Sequence, residues 1–312
     1  MKIVVLGAGA LGSALGGVLA EAGHEVWLIT RNADHVAAIR KNGLTLCEAG
    51  VDRVVKMHAS TNAQDAGIAD GVIVLVKSAQ TRAAAQASKS IVGEHTWVMS
   101  LQNGLGHEDV LADIFGQQRV LAGKTYCGGQ ITSPGQVICG VKGKDTHIGE
   151  LAWNERGAIS KRLQNIAQPF NAAGIATQMS DNIEGTMWDK LFINVATGAL
   201  SGITRLAYGN LYATPELPAI AEMAVAEAMV VARAKGVRFS IQKPIDAWHK
   251  AGAGLPSEFK ASILQTLERG QITEIDFMNG AVVRLGAELG ISTPVNSTLL
   301  ACIKGIEKGL AQ

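Results

Sequence analysis

Short, nearly all-apolar runs alternate with amphipathic stretches through the first half of the chain. The runs Lys2–Leu6, Glu25–Thr30, Gly71–Val76, Thr96–Leu101 and Arg119–Lys124 read as strands, and Val72-Ile73-Val74-Leu75-Val76 carries no polar position at all. A strand apolar on both sides suits a parallel sheet covered on both faces. Helical periods fill the gaps at Leu11–Ala22, Asp34–Asn42, Thr81–Ser90 and His107–Ile114. This alternation predicts a doubly wound α/β domain. A further β-rich piece, Gly135–Val141 with Thr146–Gly149 and Gly174–Met179, is expected to close it.

The texture changes at Asp181. Long helical periods take over at Ile183–Leu200, Pro215–Lys235, Ser257–Arg269, Glu274–Leu289 and Pro294–Lys308. Gly270 and Gly290 stand where a left-handed residue ends a helix, and Thr293-Pro294 offers an N-cap followed by proline. The pattern predicts two domains, residues 1–180 and an all-α portion over 181–312, joined near Ser180.

Composition narrows the function. At 312 residues with 47% hydrophobic and 18% charged positions, the chain has the make-up of a folded protein, not a disordered one. A net charge of +1 and only 4% aromatics remove the electrostatic and stacking signatures of a nucleic-acid binder. Four scattered cysteines (Cys47, Cys127, Cys139, Cys302) and seven histidines without ligand spacing point to neither a metal site nor a disulfide framework. Glycines break up the apolar opening, so it does not read as a signal peptide, and no other run is long enough to span a bilayer. The chain is therefore expected to be soluble and cytoplasmic, with neither nucleic acid nor membrane as partner.

The strongest local chemistry is at the start. Gly7-Ala8-Gly9-Ala10-Leu11-Gly12 matches GxGxxG, directly follows a hydrophobic strand and opens a helix. That context turns a weak string into a Rossmann-type dinucleotide site. Gly7 permits the tight turn, Gly9 lets backbone approach a pyrophosphate, and Gly12 lets helix and strand pack closely. NAD-preferring sites place an acidic residue about 20 residues further on, for the ribose 2′-OH. Here the second strand ends in Thr30-Arg31-Asn32, and a guanidinium with no carboxylate beside it favours the 2′-phosphate of NADP(H). Lys77 and Asn103 follow the next strands, at the edge where open α/β sheets bind ligands. Arg31 could equally be a solvated surface residue, and Asn103-Gly104 an ordinary turn.

Further along, Trp188-Asp189-Lys190-Leu191-Phe192-Ile193-Asn194 and Thr273-Glu274-Ile275-Asp276 stand out. Lys190 and Asn194 are one helical turn apart and share a face, while Trp188, Leu191 and Val195 can pack the core. A lysine there could protonate the alkoxide left by hydride transfer to a ketone. It could also be a surface lysine in a charged patch. Thr273-x-x-Asp276 reads as a capping box that puts Glu274 in a first helical turn, where the dipole favours its charge. Glu274 could then orient a substrate hydroxyl, bond the nicotinamide ribose, hold Lys190 as a cation, or simply start a helix.

Taken in order with the glycine loop and the Asn103-Gly104 turn, these motifs resemble the ketopantoate reductases over essentially the whole chain. The resemblance implies a Rossmann domain followed by a helical domain, in the manner of 6-phosphogluconate dehydrogenase. It also implies NADPH-dependent reduction of a 2-oxo acid, with ketopantoate the leading substrate. Lys190 would be the general acid and Glu274 a second catalytic residue. Asn103, Asn194, Ser262 and Glu274 would be arranged around substrate and cofactor, with Asn103, Lys190, Asn194 and Ser262 on the substrate and Asn103 and Glu274 on the cofactor. Lys77 and Gly129 are further candidates for the cofactor site. There are departures. Gly198 stands where the family commonly has another asparagine, and Tyr208 and Phe259 replace polar residues. These changes remove polar partners from the substrate site and support, as the alternative to ketopantoate, a paralogue acting on a less polar or differently branched 2-oxo acid. A non-catalytic NADP-binding sensor would keep the loop and Arg31 without needing Lys190, Asn194 and Glu274 together. The β-hydroxyacid dehydrogenases share a Lys-x-x-x-Asn helix, and Cys127-Gly128-Gly129 echoes their substrate loop, but Thr-Glu-Ile-Asp argues against them. The long apolar helices permit a homodimer.

Overall fold

Strand β1 (Lys2–Leu6) runs into helix α1 (Ala10–Glu21) and returns as β2 (Glu25–Ile29), parallel to β1. The structure is a computed structural model that describes residues 1–152, 154 and 159–310. The chain continues through α2 (Ala33–Asn42), β3 (Leu44–Glu48), β4 (Val51–Val55), β5 (His58–Ser60), β6 (Ala69–Val74), α3 (Thr81–Ala87) and β7 (Val92–Ser100). It goes on with α4 (His107–Phe115), β8 (Val120–Thr125), β9 (Gly128–Ser133), β10 (Gln136–Gly140), β11 (Thr146–Gly149), α5 (Lys161–Ala172) and β12 (Thr177–Ser180).

Eight strands form one sheet in the order β12-β11-β8-β7-β6-β1-β2-β5. The run from β8 to β5 is parallel throughout, and β11 joins it antiparallel. This is the doubly wound order of dinucleotide-binding sheets, and its direction of winding reverses between β1 and β6. Val4, Val5, Val72, Ile73, Val98 and Leu121 are fully buried, which is why these strands read as continuous apolar runs.

Of the β-rich piece expected to close this domain, Thr146–Gly149 and Thr177–Ser180 extend this sheet as β11 and β12, whereas Gly135–Val141 does not join it. As β10 it pairs with β3 and β9 in a separate four-stranded sheet, β4-β3-β10-β9. The physical reason is α1, which is buried continuously from Gly12 to Leu19 and needs cover on two sides. A Cβ at Gly16 would lie 2.6 Å from Leu28 of β2, and one at Gly17 would lie 2.7 Å from Leu46 of β3. Glycine on both faces lets the helix sit between two sheets.

The remainder is helical: α6 (Ile183–Thr204), α7 (Tyr208–Ala213), α8 (Leu217–Ala234), α9 (Pro244–Gly252), α10 (Ser262–Glu268), α11 (Asn279–Glu288) and α12 (Pro294–Leu310). Two expected helices are shorter than their periodicity suggests. Residues 257–261 stay outside α10 because the Ser257 and Phe259 carbonyls accept the N–H groups of Gly209 and Tyr208 at the start of α7. Glu274–Leu289 is not one helix: a 3₁₀ turn at Ile275–Phe277 precedes α11. The capping box does not form either. Thr273 Oγ1 accepts from Ile275 N–H and donates to Glu307, while Asp276 faces Lys304 at 2.8 Å.

The chain divides into two compact units, Met1–Gln102 with His107–Ile183, and Asn103–Gly106 with the chain from Glu184 onward. The sequence places Asn103 in the first domain. It groups with the second because Leu105 N–H donates to Phe277 O at 2.9 Å and Gly104 lies against that carbonyl.

Candidate functional site

The glycine loop sits at the switch point of the large sheet. Gly7 has φ +105°, and a Cβ on it would lie 2.4 Å from Val76 N on the chain leaving β6. A Cβ on Gly12 would lie 2.2 Å from Gly7 O. Both positions exclude any larger residue on packing alone. Gly9 differs: its φ is ordinary, and a Cβ there would meet nothing within 4 Å. The fold gives no reason for glycine at Gly9, whereas close approach of a ligand to the backbone would. No side chain caps the start of α1 and its first turn carries no acid, so the first N–H groups of the helix, those of Ala10 and Leu11, are uncapped and the positive end of the helix dipole is not offset. That donor set fits a pyrophosphate.

Two further contacts shape the loop. Gly129 of β9 packs against Ala10, where a Cβ would lie 2.7 Å from the carbonyl oxygen. Behind the loop, Gly135 N–H donates to His35 Nδ1 (3.0 Å), His35 Nε2 lies 3.0 Å from Ser13 Oγ, and Ser13 Oγ donates to Ala8 O (3.3 Å). Accepting at Nδ1 leaves Nε2 as the donor, so His35 is neutral, in keeping with the downward pKa shift that burial causes. This relay ties Ala8 to the second sheet. The sequence holds no signal for it, since Ser13 and His35 are separated by a strand.

Arg31 and Lys77 are exposed, just beyond β2 and β6 on the same edge as the loop. Asn32 accepts from His35 N–H and caps α2, so Arg31 stands at a fixed strand-to-helix turn. Gln102 fixes the neighbouring loop by donating to Val76 O (2.7 Å) and Thr81 Oγ1 (2.9 Å).

In the helical unit, α6 buries Trp188, Leu191, Phe192 and Val195 and leaves Lys190 and Asn194 half-buried. Asp189 has a structural task, accepting Ser240 and Ile241 N–H with its carboxylate, each at 3.0 Å. The next turns of α6 lie against α10: Cβ atoms on Gly198 and Gly202 would be 3.3 and 2.7 Å from Ile263. Ser262, the first residue of α10, is exposed. Glu274 is half-buried at the head of the 3₁₀ turn, and the same turn ends in Phe277, which grips the Asn103–Gly106 segment. Lys190 with Asn194, and Glu274 with the Asn103 segment, are thus two local pairings within one unit. Tyr208 is buried, with its hydroxyl 3.0 Å from Thr197 Oγ1 and its ring 5.0 Å from Phe259 and 5.5 Å from Tyr212. An aromatic cluster thus holds two of the three departures, Tyr208 and Phe259. Among the described residues, no group of His, Cys, Asp and Glu could hold a metal, and no helix is long and apolar enough to cross a membrane.

The family model for ketopantoate reductase PanE/ApbA matches residues 3–153, and the model for its C-terminal part matches residues 182–307. The chain belongs to the ketopantoate reductase family. The expected resemblance is borne out, and that family is one of oxidoreductases. The 2-dehydropantoate 2-reductase of Archaeoglobus fulgidus is 31% identical over 312 residues, 99% of each chain. Among solved structures, a PanE/ApbA family ketopantoate reductase from Ralstonia eutropha JMP134 is 36% identical with a TM-score of 0.90, covering 100% of both chains. A ternary structure of D-mandelate dehydrogenase with NADH and anilino(oxo)acetate is 26% identical with a TM-score of 0.91, again over 100% of both chains.

Proposed function

We propose that this member of the family uses NADPH to reduce a 2-oxo acid to a 2-hydroxy acid in the cytoplasm, ketopantoate to pantoate being the favoured reaction. The observation that carries this reading is α6, where Lys190 and Asn194 stand half-buried one turn apart while Trp188, Leu191, Phe192 and Val195 are committed to the core.

The roles follow from the residues. The loop from Gly7 to Gly12, with Ala8, Ala10 and Leu11, would hold the pyrophosphate through backbone N–H groups, and Arg31 would pair with the 2′-phosphate. Lys77, Gly129 and Asn103 would complete the binding of the dinucleotide. When bound, NADPH supplies the hydride that reduces the carbonyl carbon. Lys190 would hold a proton on Nζ and deliver it to the carbonyl oxygen as negative charge develops there. Asn103, Asn194 and Ser262 offer amide and hydroxyl groups for the carboxylate and oxygen of the substrate. Glu274 would act as an acceptor that keeps a hydroxyl oriented.

A second reading, a paralogue acting on a 2-oxo acid with a larger apolar group, is favoured by the cluster of Tyr208, Phe259 and Tyr212 and by Gly198 in place of an amide. The likeness to a D-mandelate dehydrogenase points the same way. The test is NADPH and NADH oxidation with ketopantoate beside 2-oxo acids bearing aromatic or branched alkyl groups. Turnover of ketopantoate supports the first reading. Turnover of an aromatic member with ketopantoate inert selects the second, and tight NADPH binding with no turnover anywhere would leave a sensor. In the same assay Arg31→Ala should weaken NADPH about tenfold or more, the worth of a charge-assisted pair, and leave NADH almost untouched. Equal loss for both would remove Arg31 as the discriminator.

A further inference from the structure

We propose that Glu307, near the end of α12, is a positioning residue for the substrate site, acting through Thr273 and the 3₁₀ turn that carries Glu274. The inference rests on the proposed reductase reading and adds a control to it. Glu307 is 3% exposed, and its Oε1 accepts two hydrogen bonds from a single residue, Thr273 N–H at 2.7 Å and Thr273 Oγ1–H at 2.6 Å. Its Oε2 lies 3.0 Å from Lys304 Nζ, and Lys304 in turn reaches Asp276 Oδ2 at 2.8 Å. One turn of α12 thus holds both flanks of the sequence Thr273-Glu274-Ile275-Asp276.

A buried carboxylate costs free energy unless charge and hydrogen bonds compensate it. Here it takes both, and what it fixes is the turn. Thr273 Oγ1, oriented by Glu307, accepts Ile275 N–H at 3.2 Å. Glu274 lies between these two anchored residues. The turn ends at Phe277, whose carbonyl accepts Leu105 N–H at 2.9 Å and leaves no space for a Cβ on Gly104, which would sit 2.2 Å from it. A displacement at Thr273 therefore passes to Glu274 directly and to the Asn103 segment through Phe277. Two candidate substrate residues 171 positions apart in sequence (274 − 103) share one mechanical support.

The test uses the full chain with Glu307→Ala, Glu307→Gln, Thr273→Val and Thr273→Ser. Hydrogen exchange at the Leu105 amide reads the clamp without any substrate. Exchange there should quicken in Glu307→Ala and Thr273→Val, stay near the parent in Thr273→Ser, which keeps the hydroxyl, and fall between in Glu307→Gln, whose amide oxygen can still accept. The Asn296 amide, held separately by Glu227 at 2.9 Å, should not change. With the 2-oxo acid turned over by the parent, kcat/KM should fall about ten- to a hundred-fold in Thr273→Val and recover in Thr273→Ser, the scale expected of misplaced binding groups. Unchanged Leu105 exchange in both disruptive variants overturns the clamp. Faster exchange with unaltered kcat and KM overturns the positioning role. A parent that turns over no 2-oxo acid defeats the reductase reading instead, and the exchange result alone then decides the clamp.

Discussion

Lys190→Ala is expected to lower kcat by about 10²–10⁴-fold, the usual contribution of a positioned proton donor, while NADPH affinity stays close to that of the parent. The substitution removes no large core side chain, because Trp188, Leu191, Phe192 and Val195 fill the core-facing sides of α6. For a half-buried position thermal unfolding should shift by about 1 kcal/mol, the centre of the range for single substitutions. Lys190→Arg separates charge from proton transfer. A guanidinium keeps the cation but holds its proton far too tightly to release it near neutral pH, so it should rescue KM more than kcat. Steady-state rates with the best substrate, beside NADPH titration by fluorescence, check both. A Lys190→Ala enzyme with parental kcat would remove the general-acid role.

The second large effect contrasts two glycines of one loop. Gly9→Ala should leave stability almost unchanged, since its methyl group meets nothing within 4 Å and the backbone is already in a common conformation. It should still weaken NADPH binding at least tenfold, about 1.4 kcal/mol, because the methyl would occupy the space through which a pyrophosphate reaches the helix start. Gly12→Ala should destabilise the protein itself by about 1–3 kcal/mol, as overpacking does, since its methyl would press on Gly7 O at 2.2 Å. Melting temperature and NADPH affinity, measured on both variants, give the comparison. A Gly9→Ala protein that binds NADPH as the parent does would show that no ligand comes close to that backbone.

The parallel sheet was legible because burial on two faces forces uninterrupted apolar runs, as at Val72–Val76. The loop was legible because the left-handed turn at Gly7 and the contact of Gly12 with Gly7 O both arise within a single strand–loop–helix unit, although Gly7 also meets the chain leaving β6 at Val76. The small sheet was harder to read. Leu44–Glu48 and Val51–Val55 alternate only weakly, and nothing local says that α1 needs a second cover. Near Thr273 the local pattern misled: its hydroxyl and Asp276 are drawn to Glu307 and Lys304 on α12, and distant charges outcompeted the capping geometry. Asn103 was legible as a polar residue after a strand. Its attachment to the helical unit depends on the Phe277 carbonyl, which no spacing reveals.

The sequence by itself determined the two textures, the dinucleotide loop and the family, because each rests on short-range spacing that any fold of this chain must respect. The tertiary structure alone decided which groups support the candidate residues: His35 and Ser13 behind Ala8, Ile241 and Ser240 on Asp189, and Glu307 beneath Thr273. The reason is that buried polar groups must find partners wherever the packed chain brings them, and proximity in space leaves no mark on spacing in sequence.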